Sequence, residues 1–185
     1  MVRIALLIAA LLLGAPSALR AEPNLSDRLV GSVVGVMRHG GAVQAGPGTS
    51  PPVPGCDTSA IMTNVGREEI RRWGAALRAA GLAGTRVETS RQCSAWETAQ
   101  LLDLGLVVVN PRLDPAATPA LRRERLFAAL EDAVQSRQAG GPPVILLTHR
   151  ANIVDLTGIE IQHGEILLLR LHTGSLALTA RLPVE

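Results

Sequence analysis

Two histidines in this chain follow apolar runs and stand where anion chemistry is possible. His39 lies in Arg38-His39-Gly40, directly after a Val-rich run ending at Met37. A neutral imidazole nitrogen can attack phosphorus and form a phosphoenzyme, which splits one hard displacement into two easier ones. The transferring group then needs fixed positive donors around its oxygens. Arg38 offers paired planar donors suited to phosphate, and Gly40 lets the backbone come close to a ligand. The alternative for His39 is a strand-end histidine satisfied by backbone hydrogen bonds. His149 follows Val144-Ile145-Leu146-Leu147-Thr148. A second imidazole there can donate to phosphoryl oxygens and stabilise transition-state charge.

These side chains need strands to carry them. Leu29 to Met37 is apolar almost throughout, the pattern of a strand buried on both faces. Residues 40–58, dense in Gly, Pro, Ser and Thr, read as a loop. Thr63 can cap a helix to about Ala80, with Ile70, Trp73, Leu77 and Ala80 forming one stripe and Gly81 ending it. A strand at Val87 to Ser90, a helix at Ser94 to Leu102 and a strand at Leu106 to Val109 follow. A long helix covers Pro119 to Gln138, with Leu126, Phe127, Leu130 and Val134 inward. After Gly140 to Pro143 come the strand Val144 to Thr148 and a short helix, Ala151 to Leu156. The chain ends in strands at Glu165 to Leu171 and Ser175 to Arg181, with a turn at Gly174. Strands alternating with helices predict an α/β fold, with a mainly parallel sheet covered on both faces. The ligand site of such a sheet lies beyond the carboxyl ends of its strands. Arg38-His39, the segment after Ser90, and His149 all fall there.

The first 21 residues have the layout of a secretory signal peptide: Arg3, an apolar Ile4 to Leu13, a turn-prone Gly14 to Ser17, and Ala21 before the cut. The alternative is an uncleaved membrane anchor, but the apolar run is short of the roughly 20 residues that span a bilayer. The expected mature chain, 22–185, is one domain, periplasmic or secreted, with no stable membrane anchor after cleavage. The 18 basic residues are all Arg, and Arg3 and Arg20 lie in the leader, which leaves 16 against 16 acidic residues. A chain with no net charge carries no basic footprint for nucleic acid, so any phosphate site must be a local cluster of arginines. Cys56 and Cys93 are both expected near the sheet edge that bears His39. Export would let them form a disulfide, the alternative being two unpaired thiols.

The motifs resemble those of the histidine phosphatase, or phosphoglycerate mutase-like, superfamily. Val34 to Gly40 resembles its first strand and Arg-His-Gly motif, and Thr63 to Leu82 its first helix. Val87 to Ala99, with Thr-Ser near the start and Glu-Thr-Ala at the end, resembles its second strand and helix. Leu146 to Asn152 resembles the segment with its second histidine. The match spans most of residues 33–172 in the right order. It implies a three-layer αβα sandwich, a phosphohistidine intermediate at His39, and no metal or other cofactor. The family's second phosphate-binding arginine would fall at Ser94. Arg91 either replaces it from the same loop or is merely exposed. The family's His-Asp proton donor is also missing, because Arg150 follows His149.

Release of the leaving alcohol needs a proton. Asp114 lies nearest the expected place, with a turn before Pro115 as the alternative, and Asp57 is a weaker candidate. Glu165 is expected to begin a strand. His163 and His172 do not form a metal set with the other histidines, and no Cys pairs or His/Asp clusters suggest zinc. His172 reads as a strand-end residue, and Trp73 and Trp96 as helix-face packing. The expected site is therefore His39, His149 and Asp114 for catalysis, with Arg38, Arg91 and His149 on phosphate. The expected activity is an exported phosphomonoesterase acting on a phosphorylated small molecule or a glycan or lipid headgroup. Alternatives are a non-catalytic binder of phosphorylated ligands on the same fold and a mutase.

Overall fold

A computed structural model describes residues 24–183 apart from 49 and 53, so the expected leader at 1–21 lies outside the described residues. The chain order is α1 Leu25–Arg28, β1 Val33–Arg38, β2 Ala42–Gln44, β3 Ala60–Met62, α2 Asn64–Leu77, β4 Arg86–Thr89, α3 Cys93–Leu102 and β5 Val107–Val109. It continues with α4 Pro119–Gln138, β6 Val144–Thr148, α5 Arg150–Thr157, β7 Ile166–His172 and β8 Ser175–Leu182. The main sheet has the order β5-β4-β6-β1-β7-β8. Its first four strands run parallel, while β7 is antiparallel to β1 and β8 to β7.

The alternation of side chains along a strand explains the three layers. Val33 and Met37 of β1, with Ile145 and Leu147 of β6, pack under Ile70, Trp73 and Leu77 of α2 and Ala95, Ala99 and Leu102 of α3. Val34, Val36, Val144 and Leu146 face the other way, onto Leu126, Ala129, Leu130 and Ala133 of α4 and Ile153 of α5. Both faces of β1 and β6 are thus covered, which is why their sequences are apolar without a break. Gly74 brings α2 onto the end of α3: a Cβ there would lie 2.3 Å from the Leu102 carbonyl oxygen.

Some expectations need correction. The first strand begins at Val33, not Leu29, because α1 and a left-handed Gly31 (φ 59°) turn the chain before it. Residues 40–58 are not all loop: β2 pairs antiparallel with β3, a ladder of three residues too short to leave a pattern in the sequence. Thr63 does cap α2, its side chain accepting from Gly66 N, but the α-helix stops at Leu77. A wider turn, Arg78–Leu82, holds Ala80 and ends around Gly81 at φ 92°. Phe127 is half-buried on the flank of α4 and not on its inner face.

Candidate active site

The register of the parallel strands assembles the site. Arg38 pairs with Thr148 and Thr89 with Leu147, so His39, His149 and Ser90 leave three adjacent strands at the same edge. The His39 N–H donates to the Thr148 carbonyl at 3.1 Å, which ties the two histidine segments together. The His39 and His149 ring centroids lie 5.1 Å apart, inclined at 61°.

His39 Nδ1 lies 2.8 Å from the Gly40 carbonyl oxygen. A carbonyl only accepts, so Nδ1 carries the proton and Nε2 keeps its lone pair. Burial pushes His39 down to about 4, opposed by the Gly40 hydrogen bond and assisted by His163 and Arg38. His149 is pushed down to about 3 by burial and then by His39. Both rings are therefore neutral near pH 7. His149 Nε2 lies 2.8 Å from Ser90 Oγ, which itself accepts from Gln92 N at 3.1 Å. A serine hydroxyl that accepts one bond still has its hydrogen to give. It also keeps a second lone pair, so the His149 proton lies on Nδ1, as a donor, in the arrangement where Ser90 donates to Nε2.

Gly40 has a different use from the one expected. A Cβ there would stand 2.8 Å from Ile70 Cδ1, and its N–H donates to Thr98 Oγ1 at 3.0 Å. The missing side chain lets the turn pack on α2 and α3 and so fixes His39. Arg38 donates from Nη1 to the Ile161 carbonyl and from Nη2 to His163 Nε2, each at 2.9 Å, while its Nε is buried without a partner among the described residues. Burial, and then Arg150, hold the Arg38 guanidinium below its ordinary value.

Arg91 and Asp114, expected in separate roles, are bound to one another. Arg91 N donates to Asp114 Oδ1 and Arg91 Nε to Oδ2, both at 2.7 Å, with Nη2 at 2.6 Å from Oδ2. Asp114 is buried, whereas the Arg91 side chain is 60% exposed and keeps Nη1 outside the pair. With Cys56, Asp57, Gln92 and Pro115 they line a cavity of about 430 Å³. Asp57 Oδ1 accepts from Ser59 N at 3.0 Å. Ser94, where the resemblance calls for an arginine, is wholly buried, and its Oγ has no partner among the described residues.

Cys56 and Cys93 form a disulfide, with their Cα atoms 4.9 Å apart. Asp57 N donates to the Arg91 carbonyl and Cys93 N to the Asp57 carbonyl, both at 2.8 Å, so the loop is laced to the segment after β4. Glu165 directly precedes β7 and is buried. Its Oε1 accepts from Arg181 and its Oε2 from Gln162 N. The Arg181 hydrogen bond, more than any other influence, holds its carboxyl below the usual range. His172 ends β7, exposed, and Trp73 is core. Among the described residues, no group of three or more His, Cys, Asp or Glu could hold a metal ion. No described helix is long and apolar enough to cross a membrane.

Two site residues escaped the sequence reading. Ser90 was visible only as a strand end, and its bond to His149 spans 59 positions. His163 stood alone in a loop, yet its ring lies 5.7 Å from that of His39. Its only sequence signal is a histidine before Gly164, ahead of the strand that pairs with β1.

No protein-family model matches the sequence, and no curated protein matches it. Solved structures do match its architecture. The protein histidine phosphatase SixA, complexed with tungstate, aligns over 80% of this chain and 95% of its own at a TM-score of 0.59 and 21% identity. A phosphoserine phosphatase variant from Entamoeba histolytica, in complex with phosphoserine, aligns over 80% and 95% at 0.59 and 13%. The ecdysone phosphate phosphatase from Bombix mori, in complex with tungstate, aligns over 80% and 92% at 0.57 and 14%. Identities this low speak to architecture, and on that ground the chain has the α/β fold of the histidine phosphatases.

Proposed function

We propose that this chain is a phosphomonoesterase of the histidine phosphatase superfamily, exported by its leader, with His39 as the phosphoryl acceptor. One observation carries the reading: His39 Nδ1–H is committed to the Gly40 carbonyl, which leaves Nε2 with its lone pair on a ring whose centroid lies 5.1 Å from that of His149. The phosphatase names of its structural neighbours support it. In the first step Nε2 attacks phosphorus, the P–O ester bond breaks, and the leaving alcohol takes up a proton. In the second, water attacks the phosphohistidine, the P–N bond breaks, and inorganic phosphate leaves with His39 restored. Arg38 and His149 Nδ1–H stabilise the oxygens of the transferring group in both steps.

Arg91 contributes Nη1 as a further donor, in partial place of the arginine missing at Ser94. Asp114 is the proton donor to the alcohol. Both its oxygens accept from Arg91, so it must give up one of those contacts when it carries the proton. The cavity of about 430 Å³ beside them takes the rest of the substrate, a phosphorylated small molecule or a glycan or lipid headgroup. The test is turnover of an aryl phosphate, whose good leaving group needs little acid help, by the unaltered protein and by His39→Ala. Loss of hydrolysis in a folded His39→Ala variant is expected, with a phosphohistidine trapped at His39 by acid-free quenching of the unaltered protein. Comparable turnover by the variant refutes the mechanism.

A further inference from the structure

We infer that His163 is a positioning residue that holds the Arg38 guanidinium in its phosphate-binding orientation. This rests on the phosphoryl-transfer reading above and adds a residue to it. His163 Nε2 lies 2.9 Å from Arg38 Nη2, and its Nδ1 lies 3.0 Å from the His39 carbonyl oxygen. Arginine only donates and a carbonyl only accepts. Both contacts are made together by one species alone, the neutral ring with its proton on Nδ1. One imidazole therefore joins the backbone of the nucleophile to the side chain of its neighbouring cation. The same loop supplies the Ile161 carbonyl to Arg38 Nη1 at 2.9 Å. Each terminal nitrogen is then fixed by one bond, and the plane of the guanidinium is set before any ligand arrives. Three of its five N–H groups stay outside these bonds.

The loop that presents His163 is itself tightly held. Gly164 N donates to the Arg38 carbonyl at 3.1 Å. Gly164 has φ 75°, and a Cβ there would lie 1.9 Å from Trp73 Cζ3, so α2 packs directly on its backbone. The next residue, Glu165, is anchored by its carboxylate, which accepts from Arg181 Nε at 2.6 Å. Such anchoring suits a preorganised donor, whose value is that it does not reorganise during reaction. The need is greater here because Ser94 stands where a second arginine would be, which leaves more of the work to Arg38.

Tungstate binding, measured by titration calorimetry on the full chain, tests the inference without turnover. His163→Ala should weaken tungstate about 10- to 100-fold, the range for losing a hydrogen bond to a charged group. His163→Gln, whose carbonyl oxygen can accept in place of Nε2, should recover most of that loss. In an Arg38→Ala background His163→Ala should have no further effect, which separates positioning from a general loosening of the fold. Nitrogen-15 spectra of the unaltered protein should show His163 as the Nδ1–H tautomer, a readout that holds even if the alanine variant fails to fold. An Nε2–H tautomer, unchanged affinity in His163→Ala, or an equal loss with and without Arg38 overturns this inference alone. No tungstate binding by the unaltered protein overturns it together with the proposed function.

Discussion

Breaking the Cys56–Cys93 bond should lower stability and loosen one wall of the site together. The bond closes a separation of 37 residues. In the chain-entropy description this closure removes about 13 cal/mol/K from the unfolded chain, or about 4 kcal/mol at 25 °C. At about 2–4 °C per kcal/mol for a chain of this length, the melting temperature should fall by about 8–16 °C. Thermal unfolding should be compared among the oxidised protein, the same protein reduced, and Cys56→Ala/Cys93→Ala. The reduced sample keeps both sulfurs, which matters because Cys93 is wholly buried and its truncation alone would leave a cavity. The bond also tethers Asp57 against Arg91 and Cys93. Reduction should therefore cut kcat/KM for a bulky phosphate ester more than tungstate affinity, because in the proposed mechanism the main anion donor is Arg38 at the end of β1, away from the tethered loop. A shift under about 3 °C on reduction would refute the loop-closure reasoning. So would alkylation of both cysteines in the folded, unreduced protein.

Other outcomes follow from the site. His39 and His149 are pushed from 6.5 to about 4 and about 3. Once substrate ionisation is corrected for, kcat/KM should hold on its acid side down to about pH 4, and a midpoint near 6.5 would contradict a buried neutral nucleophile. Both folded values lie below 6.5, so the unfolded chain binds more protons in that range. The stabilisation from burying neutral rings is present above pH 6.5 and is lost as pH falls toward 4 and then 3, which urea unfolding against pH would show. Hydrolysis should survive exhaustive chelation, and a loss restored only by a divalent cation would show that a metal takes part. Gly164→Ala meets Trp73 and a left-handed φ at once, so it should cost about 1–3 kcal/mol in chemical unfolding. An unchanged midpoint would mean the loop does not rest on α2 in this way.

Local patterns in the sequence determined most of the framework. Pro119–Gln138 and Val144–Thr148 form over the residues read from the sequence. The first is bounded by a threonine cap and a glycine-rich exit. The second is a continuous apolar run closed by proline before it and a polar residue after it. Both depend on interactions within a few residues. The same holds for placing His39 and His149 at strand ends, because a run buried on both faces must stop where its next side chain is polar. The closeness of Cys56 to Cys93 followed from the sheet edge that each segment had to reach. Contacts between distant segments were decided only by tertiary structure. His163 reaches Arg38 across 125 positions, and Asp114 reaches Arg91 across 23. No periodicity encodes such pairs, because they arise from how β7 lies beside β1 and how the turn after β5 lies beside β4. Gly40 makes the same point at a single residue: its type was legible, but whether the space beside it belonged to a ligand or to Ile70 was set by the packing of α2.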